Sequence, residues 1–376
     1  MPNLGLVLSG GGARGAYQAG VLSAIANICA ESKIQNPFDI YTGVSAGAIN
    51  ATMLVGTPLN FCESTAKLVK IWEQLSSEQV FISNPLSLSG GGIKWLAELS
   101  LGGLKNTPGI SLLRTTPLRD LILKNCSFED IQKRIDNKQV RALAISALDY
   151  YTTSTVTFIQ GQEEIEPWQR VRRRSERAVI SAEHMMASAA IPVLFPPVKI
   201  GNSHYGDGSV RNFSPCSPAI FMGARKLIAI GVRKPQEVCY SSHSPGLPSS
   251  PSLARVINVL LHAVMMDGLE IDIERIERIN QNLRNVSEAE RKNLSVGYLD
   301  YLWISPSREI SAVANKRTGE LPTMIRYLLK GLGSLDEASE LASFLLFESQ
   351  YCKELIELGF EDGMKAKDKI RHFVEN

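Results

Sequence analysis

A serine between two glycines is the first residue whose surroundings suggest covalent chemistry. It is Ser45, in the segment Gly43-Val44-Ser45-Ala46-Gly47. A predicted strand before it and a predicted helix after it give the context of a nucleophile elbow, in which a sharp turn exposes the serine hydroxyl. Gly43 and Gly47 permit such a turn because they carry no side chain that would clash. The same pattern is also typical of a structural strand-to-helix turn that serine caps.

A run of three glycines, Gly10, Gly11 and Gly12, follows the first predicted strand and precedes the first predicted helix. Backbone N–H groups at such a position bind anions. With Gly15, the run also fits the spacing of a dinucleotide-binding fingerprint, but no Asp or Glu ends the next strand, where the ribose would bind. If the two loops follow adjacent parallel strands, the N–H groups of this run and of Ala46 form an oxyanion hole for a serine nucleophile.

The general base that a serine nucleophile requires is not fixed by these residues. The chain contains five histidines: His184, His204, His243, His262 and His372. Of these, His204 is the best candidate because it lies close to Asp207, which follows a short predicted strand. The dipeptide Asp207-Gly208 is itself either a carboxylate at a sheet edge or a simple turn. The residues alone leave both a Ser–His–Asp triad and a Ser–Asp pair open.

The elements that must position these groups alternate between strands and helices. Apolar runs predict strands at residues 4–8, 38–42, 140–148, 153–160, 203–206, 226–232 and 299–304. Helical periodicity predicts helices at residues 15–30, 46–55, 61–75 and 179–189, and a long one from residue 253. This alternation predicts an α/β protein with a mostly parallel sheet and helices on both faces. We expect a catalytic domain at 1–235, a Pro/Ser-rich loop at 236–252, and a mainly helical region at 253–376 in the same compact unit.

Composition excludes several classes of function. Lys and Arg number 40 against 38 Asp and Glu, so no global basic field favours nucleic acid as a partner. No run of about 18 apolar residues predicts a transmembrane helix, and the N-terminus lacks a secretory signal pattern. The six cysteines are scattered without a C-x-x-C pair, so we expect neither a metal nor another cofactor. These features favour a cytoplasmic protein.

Four blocks together resemble the patatin-like phospholipases in their order and approximate spacing. They are Gly10-Gly11-Gly12-Ala13-Arg14-Gly15, Gly43-Val44-Ser45-Ala46-Gly47, Ala187-Ser188-Ala189-Ala190-Ile191-Pro192 and Asp207-Gly208. The resemblance covers about residues 4–232 and implies a three-layer α/β/α fold. It further implies that Ser45 is the nucleophile, that Asp207 is its base, that the glycine loop forms the oxyanion hole, and that Arg14 holds the loop in shape. Ser209 departs from the Gly or Ala that commonly follows Asp-Gly in the family.

The activity that this resemblance implies is hydrolysis of fatty acyl esters of phospholipids or lysophospholipids through an acyl-enzyme. The substrate would be met at a transient membrane or micelle surface. Since a free aspartate has a pKa of about 3.9, a working dyad requires burial to raise the pKa of Asp207. Two alternatives remain: a lipid acyltransferase with the same dyad, and a nucleotide-binding regulatory module that uses the loop at 10–15. Val44 argues against the former, because related acyl carrier transferases place His before the serine.

Two further segments have a functional and an ordinary interpretation. Residues 93–104, with Trp95, are either a lipid-facing lid or a loop packed on the core. Five arginines are either a membrane-facing patch or, as nearby glutamates favour, a solvated charged face: Arg170, Arg172, Arg173, Arg174 and Arg177.

Overall fold

The described residues form one ten-stranded mixed sheet with helices on both faces, as the sequence predicts. A computed structural model describes residues 3–83, 111–235, 253–287, 290, 294, 297–332 and 338–375. The strands are β1 (Leu4–Leu8), β2 (Ile40–Val44), β3 (Ala142–Asp149), β4 (Ser154–Gly161), β5 (Gln169–Arg170), β6 (Arg173–Arg177), β7 (Val198–Ile200), β8 (Ser203–Asp207), β9 (Lys226–Ile230) and β10 (Asp300–Ile304).

Strand order explains why the two glycine-containing turns meet. The main path is β10-β9-β1-β2-β3-β4-β6-β5, and its first five strands are parallel. Leu8 at the end of β1 lies beside Gly43 of β2, and the two strands therefore finish at the same edge. Because loops that follow parallel strands converge at their carboxyl ends, the segments after β1 and β2 face one another. β8 pairs antiparallel with the end of β3 on the same side as β2, just beyond the last β2 pair at Val44 and Ser146, so that Asp207 lies beside Ala147.

The helices cover both faces of this sheet. They are α1 (Gly15–Glu31), α2 (Ala46–Val55), α3 (Phe61–Glu73), α4 (Thr116–Asn125), α5 (Phe128–Asp136), α6 (Ala182–Ser188), α7 (Ser217–Phe221), α8 (Leu253–Met265), α9 (Asp267–Arg284), α10 (Ile310–Asn315), α11 (Thr323–Leu332), α12 (Ser339–Leu345), α13 (Ser349–Lys365) and α14 (Lys367–Glu375). None of the helices in the described ranges is long and apolar enough to cross a membrane.

Two hydrophobic layers separate the helices from the sheet. Alternate residues of β1 point to opposite faces, so Leu6 joins one layer and Val7 the other. The first layer contains side chains of α1, α2, α3 and α6. The second contains those of α7 and α9. This is the three-layer arrangement that the alternating sequence pattern predicts.

The C-terminal region is in direct contact with the rest of the fold. Residues Asp300–Ile304 pair in parallel with Lys226–Ile230, which confirms the predicted return to the sheet. Helix α13 packs closely on α1: a Cβ placed on Gly359 would lie 2.1 Å from the Tyr17 carbonyl oxygen. Glycine is therefore required there by the close approach of two helices rather than by a turn.

Several predicted elements differ in detail from those observed. The predicted helix at 179–189 begins only at Ala182, because Ser181 caps it with His184 in a capping box. The helix predicted from residue 253 is α8, and its apolar residues are only partly covered: Met265 is buried, but Val256 and Leu260 are exposed. The apolar face of α8 is thus wider than the surface that packs on it. The predicted lid at 93–104, the loop at 236–252 and His243 lie outside the described residues.

Candidate active site

Ser45 occupies a strained turn between β2 and α2. Its φ and ψ angles are 55° and −127°, a backbone conformation that residues other than glycine rarely adopt. The flanking glycines are required by close packing: a Cβ on Gly43 would lie 2.3 Å from the Gly47 carbonyl oxygen, and a Cβ on Gly47 would lie 2.3 Å from that of Leu8. Local sequence thus builds the strand–turn–helix geometry of a nucleophile elbow.

The side chain of Ser45 is hydrogen-bonded to Asp207. Ser45 Oγ donates to Asp207 Oδ2 at 2.6 Å, and both residues are fully buried. The other carboxylate oxygen, Asp207 Oδ1, accepts from the backbone N–H of Ser209 at 2.8 Å. None of the hydrogen bonds that the described residues make to Ser45 or Asp207 comes from a histidine. His204, the best histidine candidate from sequence, instead pairs its Nδ1 with the Tyr151 hydroxyl at 3.2 Å.

The environment of Asp207 changes its proton affinity in the direction that a general base requires. Burial raises the pKa of Asp207 to about 6, although the hydrogen bonds from the Ser45 hydroxyl and the Ser209 N–H oppose the shift. A carboxylate with this pKa is ionised at neutral pH and is a stronger base than a solvated aspartate.

The block that contains Ser188 and Ala190 positions both members of this pair. Ser188 Oγ accepts from the backbone N–H of Ser45 at 2.9 Å and donates to the Ser146 carbonyl at 2.7 Å. The Ala190 carbonyl accepts from the backbone N–H of Asp207 at 2.8 Å. In the sequence this block carries only the family resemblance, and no local pattern signals the hydrogen bonds of Ser188.

The glycine loop lies against Ser45. A Cβ on Gly10 would be 3.1 Å from Ser45 Cβ, and Gly12 and Ala46 line one cavity together with Ser45. Gly12 has a φ of +56°, and a Cβ there would lie 2.3 Å from the Phe344 carbonyl oxygen. The structure therefore brings the predicted oxyanion-hole residues together at the serine.

Arg14 ties this loop to the C-terminal helices. Its guanidinium is 2% exposed and forms an ion pair with Glu340. Its Nε donates to Ser343 Oγ at 2.8 Å, and the group lies 4.7 Å from the centre of the Phe344 ring. Arg14 thus contacts three residues of α12, and its support of the glycine loop stays a prediction. No feature of the sequence signals these partners of Arg14.

An apolar cavity opens beside Ser45. Its remaining walls are the side chains of Ile49, Met53, Ile71, Trp72, Leu75, Val80, Leu118, Leu121, Ala189, Ile191, Phe195 and Phe347. Its walls are almost entirely apolar, and one part of them is formed by the serine itself. No group of three or more His, Cys, Asp or Glu residues in the described ranges is arranged to hold a metal ion.

The family model of patatin-like phospholipases matches residues 6–220, which include the elbow, the glycine loop and Asp207. The chain belongs to the patatin-like phospholipase family. Membership of this family supports lipid acyl hydrolysis as the activity of this patatin-like chain. A comparison with curated protein sequences gave no match.

Solved structures similar to this patatin-like phospholipase include two from different organisms. VipD from Legionella pneumophila is 14% identical, with a TM-score of 0.37, and the match covers 98% of this chain and 67% of VipD. Human GIVD cytosolic phospholipase A2 is 10% identical, with a TM-score of 0.43. That match covers all of this chain and 60% of the human enzyme, so this chain spans less than two thirds of the human enzyme's length.

Proposed function

We propose that this protein hydrolyses fatty acyl esters of phospholipids or lysophospholipids, with Ser45 as nucleophile and Asp207 as base. The observation that carries the proposal is the 2.6 Å hydrogen bond between Ser45 Oγ and Asp207 Oδ2 at the mouth of an apolar cavity. A buried serine–carboxylate pair has no need of a histidine when burial has already raised the carboxylate pKa towards neutrality.

In the proposed first half-reaction, Ser45 Oγ attacks the acyl carbonyl carbon while its proton passes to Asp207. The negative charge on the carbonyl oxygen is stabilised by the N–H groups of Gly11, Gly12 and Ala46. Loss of one such donor costs about 3 to 4 kcal/mol in comparable hydrolases. The tetrahedral intermediate then expels the glycerol-side alcohol, which takes the proton from Asp207, and an acyl-enzyme remains on Ser45.

In the second half-reaction, water attacks the acyl-enzyme and gives its proton to Asp207. The proton returns to Ser45 Oγ as the fatty acid leaves, so the enzyme ends in its starting state. The apolar cavity supports this sequence because it takes the acyl chain out of water. Each methylene buried there contributes about 0.8 kcal/mol to binding.

The proposal is tested by mass spectrometry of fatty acid release from a panel of phospholipids and lysophospholipids. Ser45→Ala and Asp207→Asn proteins that are folded by circular dichroism should lose the activity, and a fluorophosphonate probe should label only proteins that retain Ser45. Undiminished release by a folded Ser45→Ala protein would contradict the proposal. Transfer of the acyl group to added lysolipid, with little free acid, would assign the same dyad to an acyltransferase.

A further inference from the structure

A second cavity, of about 190 Å³, lies on the other face of the sheet from the apolar cavity. Residues of β4 show the separation: Val156 and Phe158 point into the layer that holds α2, whereas Thr155 and Thr157 point the opposite way and line the second cavity. Arg211 connects the two regions, because it ends the short helical turn that begins directly after Asp207. The second cavity is therefore near the catalytic carboxylate in sequence but has its own walls.

Arginine dominates the lining of this second cavity. Four guanidinium groups contribute, those of Arg172, Arg173, Arg211 and Arg275. Arg275 donates to the Phe213 carbonyl at 3.2 Å. Arg173 Nη1 and Arg211 Nε are buried and have no hydrogen-bond partner in the described part of the chain. Nor does any of the four arginines form an ion pair with a described residue. Since a buried unsatisfied donor is costly, an anion that accepted from these groups would be bound favourably.

Four arginines line the cavity, and one carboxylate, that of Asp272, interacts with them. Burial lowers the pKa of the Arg173 guanidinium, the charge of Asp272 opposes this shift, and the charges of Arg275 and Arg170 add to it. Asp272 is buried and accepts from the Cys216 N–H at 2.9 Å. One carboxylate thus faces several guanidinium groups, which repel one another and favour a bound anion.

The rim of the cavity points to a lipid as the source of that anion. Val171 lies between Arg170 and Arg172 at the tip of the β5–β6 hairpin and is 89% exposed. Phe213, on the other side, is 56% exposed. Exposed apolar side chains next to arginine are the pattern of surfaces that insert into the headgroup region of a membrane. A soluble anion would leave both side chains without a role.

Four of the five clustered arginines therefore divide into two groups. Arg174 pairs with Asp149 and Glu176, and Arg177 donates to four backbone carbonyls, so both serve the fold. Arg172 and Arg173 instead line the cavity. The interpretation as a solvated charged face fits only part of the cluster.

We propose that this second cavity binds the terminal phosphate of an anionic lipid, a phosphomonoester as in phosphatidic acid, and holds the protein at the membrane surface. Several guanidinium groups converge on one space, as bidentate recognition of phosphate oxygens requires. The volume exceeds what one water molecule needs and accommodates a phosphate group.

The test measures lipid binding instead of hydrolysis, so its outcome does not depend on whether the proposed function is right. Ser45→Ala protein, which cannot form the acyl-enzyme, is sedimented with phosphatidylcholine vesicles that contain phosphatidic acid. Vesicles with phosphatidylserine at equal surface charge provide the comparison. Arg173→Gln and the exposed Arg275→Gln are added to this background, and folding is checked by circular dichroism. Arg278→Gln is the matched control, since Arg278 is on helix α9 like Arg275, is 71% exposed and pairs with Glu274 outside the cavity.

We expect phosphatidic acid vesicles to bind more tightly than phosphatidylserine vesicles. Arg173→Gln and Arg275→Gln should each weaken that binding by at least about fivefold, whereas Arg278→Gln should change it by less than about twofold. Equal losses in all three variants would overturn the proposal in favour of non-specific surface charge. Arg173-dependent binding of inorganic phosphate without binding to vesicles would overturn the lipid assignment and leave a site for a soluble phosphate.

Discussion

Arg14 and Glu340 are 326 residues apart in the sequence and form an ion pair next to the glycine loop. Arg14 lies within the matched part of the chain at 6–220, and Glu340 lies far outside it. His262 Nε2 is 3.0 Å from the same carboxylate. The helices after residue 253 therefore contact the loop that approaches the serine, and we propose that residues 1–235 and 253–376 act as one catalytic unit.

The first prediction concerns this ion pair. Burial raises the pKa of Glu340, but the contacts with His262 and the charge of Arg14 lower it more, so the carboxylate stays ionised at neutral pH. Glu340→Gln should leave the Arg14 charge buried without an anion and reduce the free energy of unfolding by about 3 kcal/mol. We also expect kcat to fall while KM changes little, because the loop would no longer be held. Urea unfolding and steady-state kinetics measure the two effects.

Glu274→Gln is the matched control for this change. Glu274 and Arg278 form an exposed pair, with side chains 67% and 71% exposed. Loss of such a pair changes stability by at most about 0.5 kcal/mol. If Glu340→Gln behaves like Glu274→Gln in both measurements, the ion pair does not position the loop.

Local sequence pattern predicted the elements that position the serine, but contacts between distant segments were beyond it. Strand β1 and helix α2 have the predicted bounds, because short apolar runs bounded by glycines define them. By contrast, the contacts of Ser188 with Ser45 and of Phe344 with Gly12 join residues more than 140 positions apart. No periodicity encodes such contacts. The sequence therefore predicted the nucleophile and the glycines, and the residues that hold them required the structure.

The second prediction concerns the pH dependence of activity. Asp207 must be ionised to accept the proton of Ser45, and burial raises its pKa to about 6. We expect kcat/KM to be constant above this value and to fall about tenfold for each pH unit below it. Kinetics with a soluble short-chain ester between about pH 4 and pH 8, in steps of about half a pH unit, give the profile. If kcat/KM begins to fall only near pH 3.8, the ordinary pKa of aspartate, the proposed effect of burial on Asp207 is contradicted.

The same pKa makes a third prediction, about stability. Between pH 3.8 and about pH 6, Asp207 in the folded protein keeps a proton that it releases in the unfolded chain. The retained proton contributes fully to the stability of the folded protein below pH 3.8, and this contribution is lost as the pH rises through about 6. Asp207→Asn carries no charge, so at pH 7 it should be more stable than the parent by about 2 to 3 kcal/mol. Thermal unfolding across this range should show the advantage shrinking toward low pH, and a variant less stable at pH 7 would contradict the argument.

The fourth prediction concerns the apolar cavity. Leu121 of α4 lines it, and Leu121→Trp should fill part of the space that an acyl chain would use. Since each methylene that is excluded loses about 0.8 kcal/mol of binding, kcat/KM for long-chain esters should fall about tenfold for every two methylenes. Short-chain esters should be almost unaffected. Leu123→Trp is the control, because Leu123 is on the same helix but is 45% exposed and does not line the cavity. Equal losses for long and short chains would place the acyl chain elsewhere.

The fifth prediction separates backbone strain from close packing in the glycine loop. Gly12 has a φ of +56°, and a Cβ there would lie 2.3 Å from the Phe344 carbonyl oxygen. Gly201 has a similar φ of +58°, but a Cβ there would meet nothing within 4 Å. Gly201→Ala should therefore cost only the backbone strain of about 1 to 2 kcal/mol and leave activity unchanged. Gly12→Ala should cost more than this and abolish fatty acid release, because the loop must move away from Ser45 to relieve the clash. The free energies of unfolding and the rates of fatty acid release are measured side by side for both variants. Equal values for Gly12→Ala and Gly201→Ala would contradict a role of close packing at Gly12.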